Sequence, residues 1–281
     1  MIREEYLHLC EKAKDNKEAI QRLYDVVKIL RVQCPWDREQ THESLRPGML
    51  EEAYETVDAI NNNDMANLRE ELGDVMLQVV FHSILGEESG SFSLKDVIND
   101  ECEKMIRRHP HVFLQETANN RAKSIDKVLE KWENIKEQER GSQAVASRLE
   151  KVPKALPALT RAFKVQKKAA DVGFDWDDVS GAFDKVREET AELIDNYNAD
   201  SSDKHGLEEE LGDLLFSVVN VSRFLGIDPE ASLNYTISKF IRRFSYVERS
   251  ALACGRELED MTLEEMDELW NEAKKVERSI L

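Results

Sequence analysis

The sequence contains few of the residues that interrupt helices. Its 281 residues include only 11 glycines and 6 prolines, well below the usual share of these turn-forming residues. This scarcity argues against a turn-rich β-sandwich or β-barrel. With 34% charged and 41% hydrophobic residues, and no clear period-two strand pattern, the composition favours amphipathic helices. We therefore predict an all-α protein.

Cysteine pairs and long apolar segments are also missing. The four cysteines lie far apart, at Cys10, Cys34, Cys102 and Cys254. Their spacing predicts neither a disulfide framework nor a zinc site. The longest stretch without a charge, 75–86, is much shorter than the roughly 20 residues of a membrane span. Because the first residues are charged and form no signal-peptide core, we expect a cytoplasmic protein.

Positive charge is scarce relative to negative charge. Lysines and arginines number 39 against 57 acidic residues, which gives a net charge of −18. Such an excess disfavours non-specific binding to nucleic-acid polymers or anionic membranes. An acidic chain of this kind would bind phosphate groups through metal ions or through a local basic cluster.

Five sequence landmarks occur twice, in the same order along the chain. The pairs are Trp36-Asp37 with Trp176-Asp177, Glu51-Glu52-Ala53-Tyr54-Glu55 with Glu188-Glu189-Thr190-Ala191-Glu192, Glu70-Glu71-Leu72-Gly73-Asp74 with Glu209-Glu210-Leu211-Gly212-Asp213, Lys104-Met105-Ile106-Arg107-Arg108 with Lys239-Phe240-Ile241-Arg242-Arg243, and Trp132 with Trp270. Because chance does not repeat five landmarks in order, we infer a tandem duplication. A small polar stretch at Gly141-Ser142 marks the seam. We predict domains at 1–141 and 142–281, with 1–16 as an extension that has no counterpart.

Each copy has the hydrophobic pattern of a small helical bundle. In the first copy the pattern predicts helices at 17–32, 42–62, 65–86, 93–108 and 124–140. In the second copy, helix starts are predicted at Asp203, at Asp228-Pro229, and at Thr262 with Glu265 completing a capping box. The fold class that follows is two tandem all-α helical-bundle domains.

Two pairs of carboxylates in each copy are predicted to lie on neighbouring helices. Glu189 and Glu192 are three residues apart, so they share one helix face, and Glu210 and Asp213 have the same spacing on the next helix. Two antiparallel helices joined by a short loop would bring the four acids together at one end of the bundle. The first-copy equivalents are Glu52, Glu55, Glu71 and Asp74.

Crowded carboxylates beside a hydrophobic core require a compensating charge. They repel one another, and removing them from water costs several kcal/mol per ion, which Arg187 alone could not offset. All-oxygen ligands suit Mg²⁺ or Mn²⁺ better than zinc. The alternative is that these are solvated surface acids, as most Glu-x-x-Glu pairs are. Duplication of the whole set favours the magnesium site.

A di-iron carboxylate bundle is a competing metal site. Its Glu-x-x-His spacing is matched formally by Glu5 with His8 and by Glu39 with His42. Neither pair has a counterpart in the second copy or adjoins the carboxylate blocks. We therefore prefer magnesium.

A basic pair follows each acidic block. Lys239 and Arg243 are four residues apart on one helix face, and the pair recurs as Lys104 and Arg108. Such pairs are usually solvated or bonded to nearby acids. Beside a metal site, however, a lysine point charge and an arginine fork make a candidate phosphate clamp.

The tryptophans divide into two types. Trp270 and Trp132 either pack in the core or offer a flat surface on which a nucleobase stacks. Trp36 and Trp176, in the loops before the first acidic helices, are expected to close the ends of the bundles.

Taken together, these motifs resemble the MazG family of nucleoside triphosphate pyrophosphohydrolases. The tandem Glu-Glu-x-x-Glu and Glu-Leu-Gly-Asp blocks carry the resemblance, with Cys34-Pro35-Trp36-Asp37 and Gly173-Phe174-Asp175-Trp176 ahead of them. The segment 104–113 belongs to the same pattern, and the match covers about 17–281.

The resemblance implies an all-α fold shared with dimeric dUTPases, a homodimer, and hydrolysis of NTPs and dNTPs to monophosphate and pyrophosphate. By this resemblance Mg²⁺, or else Mn²⁺, is held by Glu189, Glu192, Glu210 and Asp213. The implied nucleotide contacts are Lys239 and Arg243 to the phosphates, Trp270 to the base, and Lys185 beside the nucleotide. The first-copy equivalents are Glu52, Glu55, Glu71, Asp74, Lys104, Arg108 and Trp132.

The sequence leaves open which carboxylate is the general base, which copy is active, and whether the protein cleaves nucleotides or only senses them. The expected chemistry is attack of activated water at the α-phosphorus, with the general base unassigned among the carboxylates. In the family the carboxy-terminal copy is generally regarded as the active one, yet the first copy here has every landmark. The alternative function is a regulatory protein that senses nucleotides without cleaving them.

Overall fold

The computed structural model describes residues 3–113 and 145–280, together with Val128 and Ile135. In this part of the chain the regular secondary structure is helical and contains no strand, which confirms the all-α prediction. The chain divides into two compact units, Met1–Glu139 and Arg140–Leu281. Most of the predicted helix 124–140 and the seam at 141–142 lie outside the described residues. No described helix is long and apolar enough to cross a bilayer.

The first unit begins with a short 3-10 helix, Glu4–Leu9. Its α-helices are α1 Asn16–Gln33, α2 Pro35–Arg38, α3 His42–Asn61, α4 Met65–Glu88, α5 Leu94–Arg108 and α6 Pro110–Phe113. The four helices predicted between residues 17 and 108 are confirmed to within two residues at each end. Side-chain caps explain where they begin, because a backbone N–H of the first turn donates to Asp15, Thr41, Asp64 and Ser93.

The core of the first unit lies around α4, which packs against α1, α3 and α5. From α4 come the buried side chains of Val80, Phe81, Ile84 and Leu85. The neighbouring helices contribute Val27, Leu45 and Leu94. This apolar half of α4 holds the helix firmly against α3, and its other half carries the acidic block.

Gly86, near the end of α4, lies directly against the ring of Phe92. A Cβ at Gly86 would lie 2.7 Å from the ring, whereas a Cβ at Gly73, also in α4, would meet no atom within 4 Å. We expect Gly86→Ala to lower the free energy of unfolding by about 1–3 kcal/mol through overpacking. Gly73→Ala should be neutral or stabilising, because alanine favours helix. Urea denaturation of both variants checks this, and equal destabilisation by the two would contradict it.

The second unit is also helical and contains a hairpin of the same kind. Its helices are α7 Val145–Glu150, α8 Ala158–Ala170, α9 Val179–Ala199, α10 Lys204–Phe224, α11 Pro229–Ala253 and α12 Leu263–Ile280. The predicted starts are confirmed. Asp203 accepts a hydrogen bond from the Gly206 N–H and Pro229 opens α11, while Thr262 and Glu265 exchange the two bonds of a capping box. Helices α9 and α10 form a tightly packed hairpin, α11 packs on α12, and α8 contacts both α10 and α11.

The apolar faces of α10 and α11 are largely open to solvent. Leu211 and Leu215, which continue the apolar pattern of α10, are 48% and 50% exposed. On α11, Phe240 and Ile241 are 55% and 59% exposed. Soluble monomers rarely leave apolar side chains clustered in this way in water.

Trp36 and Trp176 do not close the bundles as the sequence suggested, and Trp36 lies in the short helix α2 and not in a loop. Trp36 is 63% exposed and Trp176 is 44% exposed. The prediction is wrong for Trp36. The indole of Trp176 does lie against Gly181 in the first turn of α9, but one side of the ring is left open.

Candidate active site

The α9–α10 hairpin brings together three of the four carboxylates predicted in the second copy. Glu189, Glu210 and Asp213 each offer an oxygen that lies within 4.8 Å of the others. Glu189 is buried, Glu210 is half-buried and Asp213 is exposed. The three-residue spacing puts both acids of α10 on one face of that helix, and this face lies toward Glu189 of α9.

Glu192, the fourth predicted acid, belongs to an adjoining group. It lies with Glu188 and Glu189, again with oxygens within 4.8 Å. Partial loss of hydration, followed by the charge of Glu189, raises the pKa of Glu192. The sequence prediction did not include Glu188. Its place beside Glu189, as the first residue of the Glu-Glu-x-x-Glu motif, could have indicated that it joins the group.

Asn196 supports the same cluster from the end of α9. Its Nδ2 donates a hydrogen bond to Glu210 Oε1 at 3.1 Å, which holds that carboxylate in place between the helices. The sequence prediction did not include Asn196 either. Its position could have indicated the contact, because Asn196 lies one turn beyond Glu192 on the same face of α9.

The first copy has a similar carboxylate group on α3 and α4. Glu52, Glu55 and Glu71 offer oxygens within 4.8 Å of one another, and Glu71 is buried. Loss of hydration raises the pKa of both Glu52 and Glu71, and the charge of the half-buried Asp74 adds to both shifts. The predicted four acids of this copy therefore interact electrostatically.

The carboxylate groups of the two copies fit a hard divalent cation. Their donors are all carboxylate oxygens, which Mg²⁺ and Mn²⁺ prefer. The pKa values of Glu52, Glu71 and Glu192 are raised first by loss of hydration and then by neighbouring negative charges, and a bound cation would offset that repulsion. The assignment of these residues as metal ligands stays a prediction.

Lys185 introduces one positive charge into the second-copy group. Its ammonium forms an ion pair with Glu189 and a second one with Glu188, the latter at 2.9 Å. These hydrogen bonds raise the pKa of Lys185, so the lysine is charged at neutral pH. It lies one helical turn before Glu189, at the edge of the cluster.

The first copy lacks this cation. Gly48 occupies the position four residues before Glu52, and the side-chain amide of Gln78 fills the space beside it, 3.0 Å from where a Cβ would be. The two hairpins therefore carry equivalent acids in sequence, and the first has a glycine where the second has Lys185.

The predicted base and phosphate contacts lie together between α11 and α12. The guanidinium of Arg243 lies 5.8 Å from the ring centroid of Trp270, and Phe240 packs against the same indole with ring centroids 5.0 Å apart. Arg243 Nε also donates to Glu277 Oε2 at 2.8 Å. Trp270 is half-buried and packs against Phe240, so it has a packing role, and its contact with a base stays a prediction.

Lys239 extends this group along α11, where its ammonium lies 5.5 Å from the ring of Tyr235. Within residues 145–280, the hydrogen bonds, ion pairs and ring contacts found for Lys239, Arg243 and Trp270 are made with α11 and α12. Among the described residues, no hydrogen bond, ion pair or ring contact joins these three side chains to the carboxylates of α9 and α10.

In the first copy, Lys104 on α5 forms an ion pair with Glu101, and Arg108 lies half-buried at the last turn of the same helix. Trp132, the predicted counterpart of Trp270, lies outside the described residues. The basic pair of this copy stays a prediction.

Comparison with known proteins agrees with this arrangement. The MazG nucleotide pyrophosphohydrolase domain is matched twice, at residues 40–113 and 181–247, and each match includes one carboxylate hairpin. The chain is 45% identical over 241 residues to the nucleoside triphosphate pyrophosphohydrolase/pyrophosphatase MazG of Thermotoga maritima, covering 86% of this chain and 89% of that protein. It is 44% identical over 261 residues to the nucleoside triphosphate pyrophosphohydrolase of Escherichia coli K12, covering 92% and 98%.

A third relative differs in length. The protein YabN of Bacillus subtilis, described as uncharacterised, is 50% identical over 245 residues, which cover 87% of this chain but 49% of YabN. The two shorter relatives are matched over nearly their whole length. This chain is therefore an enzyme of the MazG nucleotide pyrophosphohydrolase family.

Proposed function

We propose that this protein hydrolyses nucleoside and deoxynucleoside triphosphates to the monophosphate and pyrophosphate, using Mg²⁺ or Mn²⁺ held by the carboxylates of the second copy. The observation that carries the proposal is the convergence of Glu189, Glu210 and Asp213 within 4.8 Å on one hairpin. The names of the Thermotoga maritima and Escherichia coli relatives support the reaction type.

The chemistry requires charge neutralisation and positioning more than covalent participation by the protein. When bound, the divalent cation supplies neutralisation of the phosphate charge. A carboxylate of the cluster orients the attacking water and accepts its proton at a carboxylate oxygen. As the water oxygen bonds to the α-phosphorus, the bond to the α,β-bridging oxygen breaks. Lys239 and Arg243 then bind the departing pyrophosphate.

The direct test is product analysis with a panel of NTPs and dNTPs in the presence of Mg²⁺. The proposal predicts that monophosphate and pyrophosphate form in equal amounts and that chelation of the cation stops the reaction. Tight nucleotide binding with no product from any triphosphate would contradict hydrolysis and would support the nucleotide-sensing alternative.

Cation binding should be visible in the stability of the protein. At a Mg²⁺ concentration tenfold above the dissociation constant, linkage adds about 1.4 kcal/mol, which should raise the melting temperature by about 3–6 °C. Sodium chloride at the same ionic strength is the control. No shift beyond the control, or a full shift in the Glu52→Gln, Glu189→Gln double variant, would contradict the assignment.

We further propose that the chain forms a homodimer through the open apolar faces of α10 and α11. Ile241, 59% exposed in the middle of the α11 face, is the most direct probe. Ile241→Asp should convert a species of twice the chain mass into a monomer in sedimentation experiments, because the carboxylate cannot be buried unpaired. Leu263→Asp, at a 74% exposed position at the start of α12, is the control and should not change the mass. A monomeric parent protein would contradict the dimer.

A further inference from the structure

One face of α9 carries three features at successive helical turns. Gly181, Lys185 and Glu189 are four residues apart, so they lie on the same side of the helix at intervals of about 6 Å. Glu189 belongs to the carboxylate group and pairs with the ammonium of Lys185. The indole of Trp176 lies against Gly181. Aromatic ring, cation and metal-binding acids therefore follow one another along a single line.

The indole of Trp176 is held in this position by its surroundings. A Cβ at Gly181 would lie 2.5 Å from the ring, so only glycine lets the indole approach so closely. The loop before it is anchored, because Asp175 accepts hydrogen bonds from Arg223 of α10 and from the Trp176 N–H. Arg223 in turn donates to the buried Asn220 at 2.9 Å. The ring is nevertheless 44% exposed, which leaves a fixed aromatic surface open to solvent.

Of these three features, the first copy has only the group of metal-binding acids. Ser44 and Gly48 stand at the positions of Gly181 and Lys185, and Trp36 is 63% exposed. Its α3–α4 hairpin nevertheless packs like α9–α10. The aromatic ring and the cation are therefore not needed for folding of the hairpin, which points to a ligand as the reason for their alignment.

The spacing of Gly181, Lys185 and Glu189 along α9 suits a nucleotide. In the proposed function the carboxylate group holds the cation that would neutralise the reacting phosphate, and Lys185 offers a positive charge next to that group. Two helical turns, about 12 Å, separate Gly181 from Glu189, which leaves room for the ribose between phosphate and base. A base has a π-face that stacks on an indole whatever its identity.

We propose that Trp176 is a stacking surface for the base of the triphosphate in the second copy, positioned by Gly181 and aligned with Lys185 and the carboxylate group. This inference rests on the proposed hydrolysis for its substrate. It adds a base contact on the α9 face, separate from Trp270 on α12, and it distinguishes the second copy from the first.

Steady-state kinetics with a purine triphosphate test the proposal. Trp176→Ala should raise the KM about 10- to 100-fold while changing kcat little, and Trp176→Phe should retain most of the affinity. Gly181→Ala should behave like Trp176→Ala, because its Cβ displaces the ring although alanine favours the helix. Inorganic triphosphate, which has no base, should inhibit all variants with the same constant. Trp36→Ala is the matched control and should behave like the parent.

Fluorescence provides a reading that does not depend on turnover. An α,β-methylene triphosphate analogue, which resists cleavage, should quench indole emission equally in the parent and in Trp36→Phe, and the quenching should be clearly smaller in Trp176→Phe, where only Trp270 remains as a base contact. Unchanged KM in Trp176→Ala and Gly181→Ala, with quenching undiminished in Trp176→Phe, would overturn the proposal. If the parent binds the analogue but releases no pyrophosphate from natural triphosphates, the proposed hydrolysis fails while the quenching still decides the role of Trp176.

Discussion

Replacement of Glu189 by glutamine is expected to lower the rate of pyrophosphate release at least about 100-fold, which corresponds to about 2.7 kcal/mol of transition-state stabilisation. Glu189 is 4% exposed and belongs to both carboxylate groups of the second copy. Glutamine keeps the shape of the side chain but removes the charge. The cluster then loses a proposed ligand for the cation, and Lys185 loses one of its two carboxylate partners.

Glu52→Gln is the matched change in the first copy. Glu52 belongs to the corresponding group of acids, but no cation stands at the position equivalent to Lys185. We therefore expect this variant to keep most of the activity. Pyrophosphate release and thermal denaturation should be measured for both variants, so that loss of activity is separated from loss of folding. Loss in Glu52→Gln with full activity in Glu189→Gln would assign catalysis to the first copy and contradict our account.

The second large effect is expected at Arg243. Replacing it with alanine should lower kcat/KM about 10- to 100-fold, because a charge-assisted hydrogen bond to phosphate is worth about 1.5–3 kcal/mol. The Arg243 side chain is only 19% exposed and lies beside Trp270, so its guanidinium is oriented before a ligand arrives. The measurement is steady-state kinetics with a single triphosphate.

Arg242 offers an unusually close control. Both arginines donate to Glu277, at 3.1 Å from Arg242 and 2.8 Å from Arg243, so either alanine variant removes one bond to the same carboxylate. The Arg242 side chain is 56% exposed and has no contact with the indole among those described. Arg242→Ala should change kcat/KM less than about threefold, since exposed ion pairs contribute little. Equal losses in the two variants would show that Arg243 acts through Glu277 and not on phosphate.

Local sequence was sufficient to predict the helices and most of the acids that meet on each hairpin. Asp203, Thr262 and Glu265 cap helices through bonds to residues three positions away, which the sequence shows directly. Glu210 and Asp213 share a face because of their spacing alone. The short loop at 200–203 then requires the two helices to pack side by side.

Contacts between distant elements could not be predicted in the same way. Periodicity identified an apolar face on α10, but it could not show that Leu211 and Leu215 would be left half exposed. The spacing of Lys239 and Arg243 says nothing of their distance from the carboxylates on another pair of helices. The contact of Trp176 with Gly181 depends on the path of a loop, which Arg223 of α10 fixes through Asp175.

Isotope labelling tests the central claim most directly. A single turnover of a nucleoside triphosphate in H₂¹⁸O, with Mg²⁺ present, shows which phosphorus the water attacks. Our account predicts one ¹⁸O atom in the nucleoside monophosphate and none in the pyrophosphate. Label in the pyrophosphate would place the attack at the β-phosphorus, and labelled orthophosphate would place it at the γ-phosphorus. Either result would contradict the proposed reaction.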